Sequence, residues 1–152
     1  MSAEPTLAIV VLAAGKGTRM KSDVHKVLHP IAGRAMIDHL LASAAELAPT
    51  RQVVVVGSGR EQLEQALGGR ADIAVQDPQQ GTGHAVQQAE AALSGFAGDV
   101  LILYGDVPFV RAQTMRCNMA VSSPTPMAGS PRWWNSRTRP TTSALAPCAI
   151  PA

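Results

Sequence analysis

Short, unbroken apolar runs alternate along residues 1–115 with segments whose apolar residues recur every three or four positions. Leu7–Leu12, Val53–Val56, Ile73–Val75 and Val100–Leu103 are strand-sized and apolar throughout. Such strands are covered on both faces, as in parallel sheets, whereas a half-exposed strand alternates. Between them, Met36, Ile37, Leu40, Leu41, Ala44 and Leu47 fall on one face of a helix over residues 34–47, stopped by Pro49. Leu63, Ala66 and Leu67 predict the inner face of a second helix, closed by Gly68-Gly69. Val86, Ala89 and Leu93 predict a third, with Thr82 as its cap. Strands separated by helices imply right-handed crossovers. The predicted fold is therefore α/β, a Rossmann-like parallel sheet with alternating helices. Ligands of such sheets bind beyond the carboxyl ends of the strands, so function is expected after Leu12, Val56, Val75 and Leu103.

Composition narrows the functional classes. The chain has 152 residues, 46% hydrophobic and 16% charged, within the range of one ordinary domain with a core. Its longest apolar run, Leu7–Ala14, is far short of the ~20 residues that span a bilayer, and the N-terminus lacks the pattern of a signal peptide. A cytoplasmic chain without a membrane partner is the expectation. Cys117 and Cys148 have no metal-ligand spacing. A formal net charge of +2 does not argue for nucleic acid.

That average conceals a break after Met115. Residues 1–115 hold all 11 acidic residues and nine of the 13 basic ones; residues 116–152 hold four arginines, no acid and six of the 11 prolines. Proline at this density, without apolar periodicity, predicts a disordered tail. The tail also reads as foreign to the domain before it, as after a frameshift. Residues 1–115 and 116–152 are accordingly expected to be separate units, the first an incomplete domain.

The segment after the first strand reads Leu12-Ala13-Ala14-Gly15-Lys16-Gly17-Thr18-Arg19-Met20, with Lys26 close behind. Glycines let the backbone approach a ligand, and successive N–H groups can face phosphate oxygens. Arg19 and Lys26 add positive charge. The pattern is not a P-loop, which needs Gly-Lys-Ser/Thr after its spacer. Nor is it a dinucleotide fingerprint: Met20 occupies the sixth position, and no acid ends the second strand, which runs into Gly57-Ser58-Gly59.

The string at 12–20, followed by Val24-His25-Lys26-Val27-Leu28-His29-Pro30, resembles the signature of sugar-1-phosphate nucleotidyltransferases. It is most similar to the N-terminal uridyltransferase domain of GlmU-type enzymes, which make UDP-N-acetylglucosamine. Two further segments agree: Gln76-Asp77-Pro78-Gln79-Gln80-Gly81-Thr82-Gly83-His84-Ala85 and Leu103-Tyr104-Gly105-Asp106-Val107-Pro108. The family usually has proline where this chain has His25, which is expected to loosen the placement of Lys26.

The resemblance implies a fold of the nucleotide-diphospho-sugar transferase type and UTP and a sugar-1-phosphate as substrates, with Mg²⁺ as cofactor. It implies that Arg19 and Lys26 are catalytic, holding the phosphates. Gln76 and Gly81 would read uracil, with Ala13, Ala14 and Gly15 opposite and Thr82 nearby. Ribose would lie between Leu12 and Tyr104-Gly105-Asp106, and Asp106 would carry the metal. Gln79 and Gln80 read as surface glutamines, and His84 as structural. The family's sugar-binding half and its acetyltransferase repeats are not recognisable after Met115, so the chain is expected to be an impaired fragment. A cytidylyl- or guanylyltransferase for another small acceptor, and a non-catalytic nucleotide-binding module, are the alternatives.

Overall fold

The computed structural model describes residues 6–15, 17 and 20–118. Its elements run β1 (Leu7–Ala13), a 3-10 turn (Lys26–Leu28), β2 (Pro30–Ile31), β3 (Arg34–Ala35), α1 (Met36–Ala45), β4 (Arg51–Val56), α2 (Arg60–Leu67), β5 (Asp72–Val75), α3 (Thr82–Gln88), β6 (Asp99–Tyr104) and α4 (Ala112–Asn118). The main sheet has the order β5-β4-β1-β6, and all three pairings are parallel. The α/β expectation holds.

The alternation of side chains along a strand sorts β1 and β4 into two cores. Ile9, Val11, Ala13, Val54 and Val56 face one layer, where they meet Ile37 and Leu40 of α1, Leu63 and Leu67 of α2, and Met115 of α4. Ala8, Val10, Val53 and Val55 face the other, against Ala85, Ala89 and Leu93. Both central strands are thus covered twice, which is why they read as unbroken apolar runs. The edges differ: Ile102 and Tyr104 of β6 and Val75 of β5 are exposed. An edge strand has a neighbour on one side only, and α3 with its following turns is too short to cover the whole second face.

Several local expectations are corrected. Arg34 and Ala35 pair with Ile31 and Pro30 in an antiparallel ribbon, so the helix starts at Met36. Ala66 is exposed, leaving Leu63 and Leu67 as the buried residues of α2. Thr82 is the first residue of α3 rather than its cap; Gly81 holds that position without a side-chain bond. Gly68 does close α2, in the left-handed region with its N–H donating to Glu64 O. Helix α4, which the sequence pattern did not reveal, runs past Met115 to Asn118. The rest of the proposed tail lies outside the described residues. No helix among the described residues is long and apolar enough to cross a membrane.

Candidate active site

Strand order brings the segments after β1, β5 and β6 to one carboxyl edge, and backbone and side-chain hydrogen bonds stitch them together. Gly105 N–H donates to Leu12 O at 2.9 Å, tying the β6 loop to the end of β1. A Cβ on Gly105 would lie 3.1 Å from the same carbonyl, so the approach suits glycine. Gln79 Nε2 donates to Ala14 O at 2.5 Å, linking the β5 loop to the β1 loop across 65 positions. Gly57, at the end of β4, sits under this bridge: a Cβ there would clash with the Gln79 amide and come within 2.6 Å of Ala14 O.

The cationic end of the site is built on Gly17. Its φ of +59° is in the left-handed region, and a Cβ would stand 2.7 Å from Lys26 Cβ. The missing side chain therefore serves the turn and also lets the Lys26 stem cross it. Lys26 opens the 3-10 turn that buried Val27 anchors. Its Nζ donates to Asp106 Oδ2 at 2.5 Å, both side chains remaining over a third exposed. Among the described residues no group of three or more His, Cys, Asp or Glu could hold a metal.

At the other end, Gln76 is only 4% exposed. Its backbone N–H extends the β5–β4 ladder to Val56 O at 2.7 Å. Its side-chain Nε2 donates to Gly81 O at 2.9 Å and lies 3.2 Å from His84 Nδ1. Both ends open into one cavity of about 390 Å³. Of the residues singled out from sequence, Leu12, Ala13, Ala14, Gly15, Lys26, Gln76, Gly81, Thr82, Tyr104 and Asp106 line it. Gly105 is buried beside it. Arg19, with Lys16 and Thr18, lies outside the described residues.

Two readings change, those of Gln79 and His25. Gln79 is a bridge between loops and part of the cavity wall, not a plain surface glutamine. No local pattern marks it, because its partner is remote in sequence. His84 touches Gln76 directly. His25 does not leave the backbone before Lys26 loose: its φ is −57°, within proline's range, and its N–H donates to Gln62 Oε1 at 2.8 Å. The imidazole is buried, with no partner for either ring nitrogen among the described residues, and burial lowers its pKa below 6.5.

A glycine-lined cavity at the carboxyl edge of a parallel sheet, with a lysine at one end and a carboxamide at the other, is suited to a nucleotide. Comparison with known proteins agrees: the family model for MobA-like NTP transferase domains matches residues 9–150. The chain belongs to this nucleotidyltransferase family. Among curated relatives it is 84% identical over 110 residues to the bifunctional protein GlmU of Novosphingobium aromaticivorans, and 74% identical over 110 residues to that of Sphingopyxis alaskensis. Each match takes in 72% of this chain and 24% of the relative, so the chain spans about a quarter of the length of these proteins. Among solved structures, a nucleotidyl transferase from Methanothermobacter superposes with a TM-score of 0.60 at 27% identity, covering 73% of this chain and 55% of that one. Rv0371c of Mycobacterium tuberculosis superposes with a TM-score of 0.64 at 23% identity, over 75% of this chain and 59% of its own, a likeness of fold.

Proposed function

We propose that this NTP transferase chain carries the nucleotide side of a uridylyltransferase site, acting on UTP and N-acetylglucosamine-1-phosphate. The observation that carries the reading is that the Lys26–Asp106 pair and the Gln76 carboxamide face one cavity from opposite ends. High identity to GlmU proteins over the same 110 residues supports the choice of substrates.

In the proposed reaction a phosphate oxygen of the sugar-1-phosphate forms a bond to the α-phosphorus of UTP. The bond from that phosphorus to the bridging oxygen breaks, and pyrophosphate leaves. Because two anions must meet, the protein's work is mainly positioning and charge compensation. Lys26 offsets the repulsion at the α-phosphate, and Arg19 is assigned to the departing pyrophosphate, where its planar fork of donors suits paired phosphate oxygens. Ala13, Ala14 and Gly15 offer close backbone approach, and ribose fits between Leu12 and Tyr104-Gly105-Asp106, with Thr82 beside the base. Gln76 with Gly81 reads uracil.

Asp106 fits a divalent cation of the Mg²⁺ type. It is a hard oxygen ligand at the cavity wall, and such an ion is commonly held by one or two carboxylates, with nucleotide phosphates and water supplying the rest. The absence of a larger acidic cluster among the described residues accords with that mode. When bound, the ion would neutralise phosphate charge; Asp106 would hold it, and Lys26 would be the group that pairs with phosphate.

Calorimetric titration of the purified chain with UTP, CTP and ATP, each with Mg²⁺, tests the reading. UTP should bind at least tenfold more tightly than CTP or ATP, and Lys26→Ala should weaken it. Equal binding of all three would refute the base assignment. Binding of none at millimolar concentration would refute the site.

A further inference from the structure

The carboxamide of Gln76 can recognise a base only if it presents one known edge, since its oxygen accepts and its nitrogen donates. The surroundings decide which. Gln76 Nε2 donates to Gly81 O at 2.9 Å, and turning the amide over would set two oxygens against each other at that distance. The second hydrogen of the same nitrogen is directed to His84 Nδ1, 3.2 Å away. This leaves Gln76 Oε1 as the atom without a partner among the described residues, on a side chain that lines the cavity.

The bond to His84 requires Nδ1 to be the acceptor, so a neutral imidazole must carry its proton on Nε2. That nitrogen lies 3.1 Å from Gln88 Nε2, and two nitrogens that both carry hydrogen cannot bond to each other. An N–H there needs an oxygen opposite it, so hydrogen-bond balance assigns Oε1 of Gln88 to this contact. The amide gives up only a long, 3.4 Å contact from its nitrogen to His84 O. The result is a chain of donors running one way, from His84 Nε2–H to Gln88, and from Gln76 Nε2–H to both His84 Nδ1 and Gly81 O. Among the described residues this leaves Gln76 Oε1 and the Gln88 nitrogen without a partner, and of the two side chains only Gln76 lines the cavity.

We propose that His84 is a specificity-positioning residue: with Gln88 it locks the Gln76 carboxamide so that only an acceptor faces the nucleobase. The inference rests on the nucleotide reading above and deepens it. An acceptor there pairs with a base that carries a ring N–H, as uracil does at N3. It repels cytosine, whose N3 has a lone pair. Selectivity would then arise from a built-in repulsion as much as from an added bond.

Two experiments on the full chain separate this proposal from the nucleotide reading itself. The first needs no nucleotide. Long-range ¹⁵N–¹H correlation spectra at pH 7.5, with the His84 signals assigned by their loss in His84→Asn, should show Nδ1 unprotonated and Nε2 protonated; the opposite tautomer overturns the lock. The second compares UTP and CTP affinity. His84→Asn, whose Oδ1 can take the place of Nδ1 as acceptor, should keep the wild-type ratio within about threefold. His84→Leu should narrow it at least tenfold. Gln88→Glu and Gln88→Lys extend the test from the other side of the ring. Glutamate keeps an acceptor for Nε2–H and should preserve the ratio, whereas lysine offers only donors, favours the other tautomer and should narrow it. If the wild type prefers UTP and neither His84→Leu nor Gln88→Lys changes the ratio, the lock is refuted. If the wild type shows no preference, the uracil assignment fails and the lock fails with it, whatever the tautomer.

Discussion

Replacing His25 with leucine should make this protein more stable, and increasingly so as the solution is acidified. The wild-type imidazole is buried, and neither ring nitrogen has a partner among the described residues. A buried donor or acceptor left unsatisfied costs about 1–3 kcal/mol, and a neutral imidazole holds one of each. Leucine removes both and has a similar volume, though reshaping the packing returns up to about 1.5 kcal/mol of the gain. Taking the low end of that cost for each group, about 2 kcal/mol together, the net expectation at pH 7.5 is a stabilisation of about 0.5–2 kcal/mol. Burial also holds the His25 pKa below its usual 6.5. The unfolded chain therefore binds a proton near pH 6.5 that the folded chain takes up only at lower pH. His25's contribution is fully present above about pH 6.5 and is lost as pH falls from there towards the folded value. His25→Leu lacks this loss, so the gap between variant and wild type should widen on acidification, by no more than about 1.36 kcal/mol per pH unit. Urea unfolding of both proteins, followed by far-ultraviolet circular dichroism at pH 7.5 and 5.5, reads the midpoints directly. A leucine variant no more stable than wild type at pH 7.5 would show that the ring nitrogens are satisfied. A gap that stays constant between the two pH values would refute the buried neutral ring.

Other expectations concern the site. In a full-length relative carrying the same residue, Lys26→Ala should lower turnover at least tenfold, worth about 1.4 kcal/mol or more of transition-state stabilisation; wild-type turnover would remove Lys26 from the chemistry. Asp106→Asn in the same background should raise the Mg²⁺ concentration needed for half-maximal rate, because a neutral amide is a poorer ligand for a hard cation; an unchanged titration would leave Asp106 only its ion pair with Lys26. Gly57→Ala should destabilise this chain by about 1–3 kcal/mol in urea unfolding, as its Cβ meets Ala14 O and the Gln79 bridge; an unchanged midpoint would mean that the bridge is not held closed. Gly17→Ala should cost about 1–2 kcal/mol from its left-handed backbone and also displace the Lys26 stem; UTP affinity equal to wild type would show that the stem can move without consequence.

What could be read along the chain is what depends on near neighbours. The unbroken runs at Leu7–Ala13 and Val53–Val56 specify strands buried on two faces, because each successive side chain enters the opposite layer. Gly68 ends α2 because its backbone lies in the left-handed region. The strings at 12–20, 76–85 and 103–108 contain most of the residues that line the cavity among those described, within 12–15, 76–85 and 104–106, since glycine, amide and charge at the ends of strands are local features. Helix α4 escaped notice because it is short and, among its described side chains, only Ala112 and Met115 are buried. The ribbon of Pro30–Ile31 with Arg34–Ala35 was hidden by apolar residues that also suit a helix.

Tertiary structure decided the contacts that cross between strands. Lys26 meets Asp106 across 80 positions, Gln79 reaches Ala14 across 65, and Gln62 holds the backbone of His25 across 37. Each depends on the order β5-β4-β1-β6, which sets loops side by side and which no apolar period encodes. His84 shows the same limit at short range. It stands eight residues from Gln76, yet only the turn through Gly81 into α3 brings ring and carboxamide together. Residue type and spacing determine which groups are available; chain topology determines which of them can satisfy one another, because a hydrogen bond acts over about 3 Å of space and takes no account of separation along the chain.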